Sequence, residues 1–305
     1  MSRFPPLPAE LLHVAARRSG YVTAHDCTRL GVLSDSRRRR VEAGLWDRPA
    51  PGVLDTDPHA ARTPSEQRVR AAHLALVRCG DDAVATGVAA LALHGNRGLP
   101  LRIRATAARA DHQDRPGQLV SQHRRFEVVT LAGGTRAATV PWALTQSATQ
   151  LGRLHLTAAV DSALASGTLS SIDAVRELTA GRRGARHLRC CLDLADGRAE
   201  SFLETWARLE CVDAGIPPDA VQLPIQLPDG RVLRGDLAWR LPGGRWLVVE
   251  IDGREVHEHP EAAYADRARQ NALVAAGRIV VLRFTVQDLR RPGYVPAQIR
   301  KALGR

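Results

Sequence analysis

Lysine is almost missing from this 305-residue chain: of 43 basic residues, Lys301 alone is not arginine. Arginine for lysine throughout, beside abundant alanine, points to a GC-rich coding bias before it points to chemistry. Cysteine is also scarce. Cys27, Cys79, Cys190, Cys191 and Cys211 are odd in number and form no CxxC pair, which favours reduced thiols over a disulfide framework. No apolar run approaches the ~18–20 residues of a membrane span. The first twenty residues, MSRFPPLPAELLHVAARRSG, lack the continuous apolar core of a signal peptide, so a cytoplasmic protein with no membrane association is expected. Aromatics make up only 4% of the chain, and they build no stacking platform of the kind that reads single-stranded RNA. Internal repeats and low-complexity linkers are absent as well.

What is present is length for two or three domains and a net charge of +11, its excess lying mostly in residues 61–200. A basic balance of this size suits an anionic partner such as nucleic acid. Residues 8–18 carry Leu11, Leu12, Ala15 and Ala16 at helical spacing, and Gly20 stops the helix. Thr23 then reads as an N-cap for AHDCTRL, and Ser34 as the cap of DSRRRRVEA, which Gly44 ends. Two short extended pieces around Pro51-Gly52 follow. Three short helices and a small hairpin make the winged-helix variant of helix-turn-helix, whose third helix enters the major groove. Arg37, Arg38, Arg39 and Arg40 are thereby the candidate DNA contacts. Four consecutive positions wrap around a helix, so a solvated face is the plain alternative.

The pattern SGYVTAHDCTRLGVLSDSRRRRVEAGLWDRPAPGVL is similar to the N-terminal winged helix of AbiEi-type antitoxins, over about 50 residues. That resemblance implies DNA binding and autoregulated transcription, with a toxin or defence-system partner and a homodimer among the assemblies it suggests. Beyond it, Thr63-Pro64 opens a helix to about Cys79, and ATGVAALALHG resembles the next helix of the same proteins. His94 at its end has ordinary capping and packing roles. LRIRA, LVSQHRRF and EVVTL are expected to form a small sheet; His112 and His123 nearby have no metal-ligand spacing. From Val140 the pattern becomes helical, and Arg182, Arg183, Arg186 and Arg189 could track a phosphate backbone.

The densest chemistry lies in RVLRGDLAWRLPGGRWLVVEIDG, Arg231 to Gly253, which reads as two strands joined by a tight turn. Side chains two apart share a strand face, so Glu250 and Asp252 project together and a hairpin brings Asp236 near them. Carboxylates held close raise one another's pKa, and a divalent cation relieves that cost. Glu250 ends the apolar run WLVV, where a lone buried glutamate is expensive. Asp236 could instead cap a strand, and Asp252-Gly253 is an ordinary turn dipeptide. Around this hairpin the expected order from Ser201 is α-β-β-β-α-β-α.

That order, with the motifs SFLE, GDLAW, VVEIDG, His257, DRARQNAL and VLRF, resembles the PD-(D/E)XK nuclease core, in the branch related to very short patch repair endonucleases. The likeness covers roughly residues 200–303. It implies a Mg²⁺- or Mn²⁺-dependent endonuclease acting in DNA repair or defence. Asp236 matches the metal-binding aspartate, Glu250 the acidic position of the second motif, and Glu204 the helix glutamate that completes the metal shell. One departure matters: the superfamily's lysine, two residues after the second acidic residue, is Asp252 here. Asp252 could hold a second metal, or His257 could serve as general base, with His259 weaker in the same loop; otherwise the site no longer cuts. Asp266 and Arg269, three apart on one helix face, could form an ion pair. Arg283, in the apolar strand VVLRF, needs a carboxylate or a phosphate, so Arg269 and Arg283 are candidate nucleic-acid contacts.

The expected fold class is thus α/β (α+β, multi-domain). A winged helix spans 1–60, a central α+β region 61–199, and a restriction-endonuclease-like α/β core 200–305. Two functions stand beside the nuclease: a DNA-binding regulator of antitoxin type with a degenerate nuclease domain, and, ranked last, a nuclease of RNA.

Overall fold

The computed structural model describes residues 4–109, 126–226, 230–252 and 279–304. Within them the chain is a mixed α+β protein with three separate sheets. It divides into two compact units, one of Met1–Gly152 with Ser171–Arg189 and one of Arg153–Ser170 with Cys190–Arg305.

The first unit begins with helix α1 (Ala9–Arg17), strand β1 (Tyr21–Thr23), helices α2 (Ala24–Arg29) and α3 (Ser34–Glu42), and strands β2 (Asp47–Ala50) and β3 (Val53–Asp55). Thr23 caps α2 through its hydroxyl, which accepts the Asp26 N–H, while the Asp26 carboxylate accepts the Thr23 N–H. Ser34 is not a cap. Leu33 holds that position without a side-chain hydrogen bond, and Ser34 is already helical. The strands pair antiparallel in the order β1-β3-β2. Leu11, Val22, Cys27, Val32, Trp46 and Leu54 close a small core beneath them, giving the winged-helix arrangement.

Helix α4 (Pro64–Cys79) starts where Thr63-Pro64 predicts, again with a reciprocal cap between Thr63 and Glu66. The sheet that follows has a different composition from the expected one. Its strands are β4 (Val84–Thr86), β5 (Thr106–Ala108), β6 (Val128–Thr130) and β7 (Arg136–Ala138), in the order β5-β4-β7-β6. LRIRA, residues 101–105, lies outside it, and residues 119–125 of LVSQHRRF fall outside the described residues. The strands β5 and β7 are rich in alanine rather than β-branched residues. Their small side chains are buried beside helix α5 (Gly87–Leu93), and packing rather than strand propensity selects them. His94 caps this region by donating from Nε2 to the Ala138 carbonyl. Helices α6 (Val140–Ser147), α7 (Arg153–Ala165), α8 (Asp173–Glu177) and α9 (Ala185–Asp193) come next. Arg182 lies over the Trp142 ring, 4.5 Å from its centroid.

The second unit is built on helix α10 (Phe202–Asp213), strands β8 (Ala220–Gln226), β9 (Val232–Leu241), β10 (Arg245–Asp252) and β11 (Ile279–Thr285), and helices α11 (Val286–Leu289) and α12 (Tyr294–Ala302). The sheet order is β11-β10-β9-β8: β8, β9 and β10 run antiparallel, and β11 joins β10 in parallel. One face, with Leu237, Trp239, Leu247, Val249 and Ile251, packs on Ala207 and Cys211 of α10 and on Val295 and Ile299 of α12. The other carries Ala238, Val248 and Ile225. Among the described residues no helix is long and apolar enough to cross a membrane.

Candidate functional site

The carboxylates of the second unit gather at one end of its sheet. Leu237 pairs with Val249, so Asp236 and Glu250 lie beside each other at the next position of the β9–β10 hairpin. Alternation puts Glu250 and Asp252 on the face shared with Val248, whereas β9 breaks its alternation beside Asp236, since Gly235 also faces Val248 while Leu237 faces the core under α10. Gly235 makes the approach of β9 possible: a Cβ there would come within 2.3 Å of Val248 Cγ1. The glycine of GDLAW is therefore a steric requirement of the strand that delivers Asp236.

Glu204 reaches this end from the first turn of α10. Ser201 caps the helix, its hydroxyl accepting the Glu204 N–H at 3.2 Å, and the Glu204 carboxylate accepts the Glu200 N–H at 2.9 Å. Between Glu204 and Asp236 stands Gln222, which the sequence reading missed. Its Nε2 donates to Glu204 Oε2 at 3.0 Å and to Asp236 Oδ1 at 3.3 Å. Asp236 Oδ2 also accepts the Ile251 N–H at 2.7 Å. Gln222 has φ of +53°, a left-handed conformation inside a strand, and that is rare for a residue with a side chain. A lone glutamine in a strand gives no signal of this; only the strand opposite and the helix across the sheet define its role.

Glu250 is held differently. The parallel register puts it opposite Arg283, whose Nε lies 2.9 Å from Glu250 Oε2. The carboxylate is buried, so the guanidinium supplies the compensation that a charge in that place requires. Asp252 is exposed at the end of β10, opposite Thr285. His257 and Arg269, with His259 and Asp266, lie outside the described residues. Beside Gln222 opens a cleft of about 400 Å³, lined by Gly197, Arg198, Glu200, Gln222 and Arg234 among others. Arg234 pairs with Glu200 at 3.3 Å.

Among the described residues no three His, Cys, Asp or Glu side chains come together as a ready-made metal cluster. Glu204 and Asp236 nevertheless share one amide donor, Gln222 Nε2, and both offer hard oxygen donors. That donor set suits Mg²⁺, which is bound through one or two carboxylates with phosphate oxygens completing the shell, rather than by an all-protein cage.

The four arginines of α3 divide sharply. Arg40 is buried: it donates to the Pro5 carbonyl and lies over the rings of Phe4 and Trp46. Arg37 is turned back on α2, donating to the Ala24 carbonyl and the Thr28 hydroxyl. Only Arg38 and Arg39 point outward, and Arg38 is flanked by Asp35 and Glu42. Candidate DNA contact thus narrows from four arginines to two on this helix, because a helix presents only part of its circumference outward. Arg48 on β2 is exposed too, and with Arg37, Ser34 and Gly52 it lines a notch between α3 and the hairpin. Its position beside a turn, in a strand of four residues, was the signal available for it.

No protein-family model matches the chain. Two relatives do: Uncharacterized protein Rv2248 and Uncharacterized protein MT2308, from the H37Rv and CDC 1551 strains of Mycobacterium tuberculosis. Each is 36% identical over 193 residues, covering 62% of this chain and 69% of the relative. The chain belongs to the family of these mycobacterial proteins. In this family member the described carboxylates, Gln222 and Arg283 lie within one unit, and the outward arginines of α3 in the other.

Proposed function

We propose that this chain is a DNA-binding protein whose second unit carries a metal-dependent phosphodiester-hydrolysing site of PD-(D/E)XK type, the family it resembles in sequence. The observation that carries the reading is the pairing of Glu204 and Asp236 around the single side-chain amide of Gln222, beside the hairpin that also carries Glu250. Glu204 and Asp236 would hold Mg²⁺ or Mn²⁺. Such a cation, when bound, supplies charge to the phosphoryl oxygens and makes water a better nucleophile.

The chain's own residues do the rest. The Ile251 N–H fixes one oxygen of Asp236, and the Glu200 N–H fixes the Glu204 carboxylate, so neither anion rotates away. Arg283 places a guanidinium beside the buried Glu250 carboxylate. Arg198 and Arg234 on the cleft wall suit the backbone of a nucleic-acid strand. His257 is the residue to which the family likeness assigns proton transfer in place of the missing lysine. In the first unit, Arg38, Arg39 and Arg48 are the outward cations of a winged helix and would hold duplex DNA. The test is Mg²⁺- or Mn²⁺-dependent nicking of duplex and mismatched DNA, with RNA of the same sequence in parallel. Wild type is expected to cut DNA and Asp236→Ala to be inactive; equal inactivity across metals and substrates removes the enzymatic reading.

A second reading has its own observation. Glu250 is paired with Arg283, and no lysine stands near it in sequence, so the site could be silent in a regulator of antitoxin type. That reading predicts salt-sensitive binding to promoter duplexes without cleavage. Under either reading, neutralising Arg38 and Arg39 weakens binding and lowers the salt slope by about 2.

A further inference from the structure

We infer that Gln222 is the positioning residue of the carboxylate pair: its side-chain amide occupies the place between Glu204 and Asp236 that a divalent cation takes, and swings aside when the cation enters. The inference rests on the nuclease reading of that site and adds to it a group that no motif contains.

Three observations converge on Gln222. The first is the shared donor: one amide nitrogen serves carboxylates from two different elements, at 3.0 and 3.3 Å. Two anions this close repel, and a neutral amide offsets their charge only in part, whereas a divalent ion offsets it fully. The second is the backbone. At φ +53° Gln222 stands in a strained conformation directly across from Asp236, between the paired positions Val221↔Leu237 and Leu223↔Gly235. The strand turns over at this residue: Val221 packs into the core beneath the sheet, while Leu223 and Ile225 join the cluster on the opposite face. Strain of this kind persists where the surroundings hold it and gathers at working sites. The third is room. Gln222 forms part of the wall of the 400 Å³ cleft, so its amide has a place to move that is already open. Both carboxylates keep a backbone anchor when it leaves, through the Ile251 and Glu200 N–H groups.

The experiment measures Mn²⁺ binding by calorimetry and by electron paramagnetic resonance, with thermal unfolding in the absence and presence of the ion. The proteins are full-length wild type, Gln222→Leu, Gln222→Asn and Glu204→Gln. Leucine keeps bulk and removes the donor; asparagine tolerates positive φ but is one methylene shorter, and decides the matter if the leucine variant does not fold. The expected result is Mn²⁺ binding by wild type, its loss in Glu204→Gln, and at least about tenfold tighter binding in Gln222→Leu or Gln222→Asn. A hydrogen bond to a charged group has about that worth, and the variants no longer have to break it. The same variants should melt lower than wild type without metal and recover more on adding it. Binding in wild type with equal or weaker affinity in both Gln222 variants overturns the role of Gln222 and leaves the nuclease reading standing. No Mn²⁺ binding by any of the proteins overturns both.

Discussion

Helix α10 can present Glu204 only if its first turns are fixed, and a buried ion pair does this. Asp161 on α7 accepts the Arg208 guanidinium at 2.7 Å and the Thr205 hydroxyl at 2.8 Å through one oxygen, and the Asp196 N–H at 2.7 Å through the other. Arg208 also donates to the Leu194 carbonyl. The side chains are 2% and 7% exposed, so solvent screening is slight. Asp161→Ala would leave a buried guanidinium charge uncompensated and the Asp196 N–H without its acceptor, and would leave the Thr205 hydroxyl only its 3.4 Å contact with the Ser201 carbonyl. Breaking a buried pair from one side costs roughly 3–5 kcal/mol. At roughly 3 °C per kcal/mol for a unit of this size, that is a fall of about 10–15 °C in the melting temperature. The double variant Asp161→Leu, Arg208→Met removes both charges and keeps the volume, so it should recover at least about half of the loss. Urea and thermal unfolding, followed by near-ultraviolet circular dichroism and tryptophan fluorescence, check this; Trp206 on α10 is a nearby reporter. A loss below about 1 kcal/mol in the single variant, or strictly additive losses in the double, would refute the reasoning.

Three further outcomes are expected. Burial pushes the His73 imidazole, whose Nδ1 lies 2.8 Å from the Ser19 hydroxyl, down from its ordinary 6.5 to about 4, with Arg18 acting in the same direction. A depressed pKa gives stability that is full above 6.5 and is lost as the pH falls toward 4. At 1.36 kcal/mol per pH unit this is roughly 3 kcal/mol, which His73→Gln should flatten in urea titrations between pH 7 and 4. Gly235→Ala should cost about 1–3 kcal/mol by driving its Cβ into Val248, and clearly less in a Val248→Ala background. Arg40→Ala should lower the melting temperature of the winged helix, because it removes the stack over Phe4 and Trp46 and the Pro5 hydrogen bond. Arg39→Ala on the exposed side should leave that temperature within about 1 °C.

Much of the architecture is legible from short-range pattern. Thr23 and Thr63 announce their helices because a capping side chain acts within three residues of itself. The alternation in β10 puts Glu250 and Asp252 on one face for the same local reason. The three-residue strands β4 and β7 escaped notice because their reason to exist lies in α5 packed over them. Arg37 and Arg40 were grouped with Arg38 and Arg39 because adjacent letters do not record which way a helix turns each side chain.

By itself, then, the sequence determined the succession of α10, β8, β9 and β10, the caps at Thr23 and Thr63, the shared face of Glu250 and Asp252 and the rarity of lysine near them. Each of these is set by neighbours a few residues apart. Tertiary structure alone decided that Glu250 would face Arg283 across a parallel pair, that two of four arginines would be spent inside the winged helix, and that Gln222 would stand between Glu204 and Asp236. Those pairings join residues from separate elements, and only the folded sheet and the helices against it bring such groups within hydrogen-bond reach.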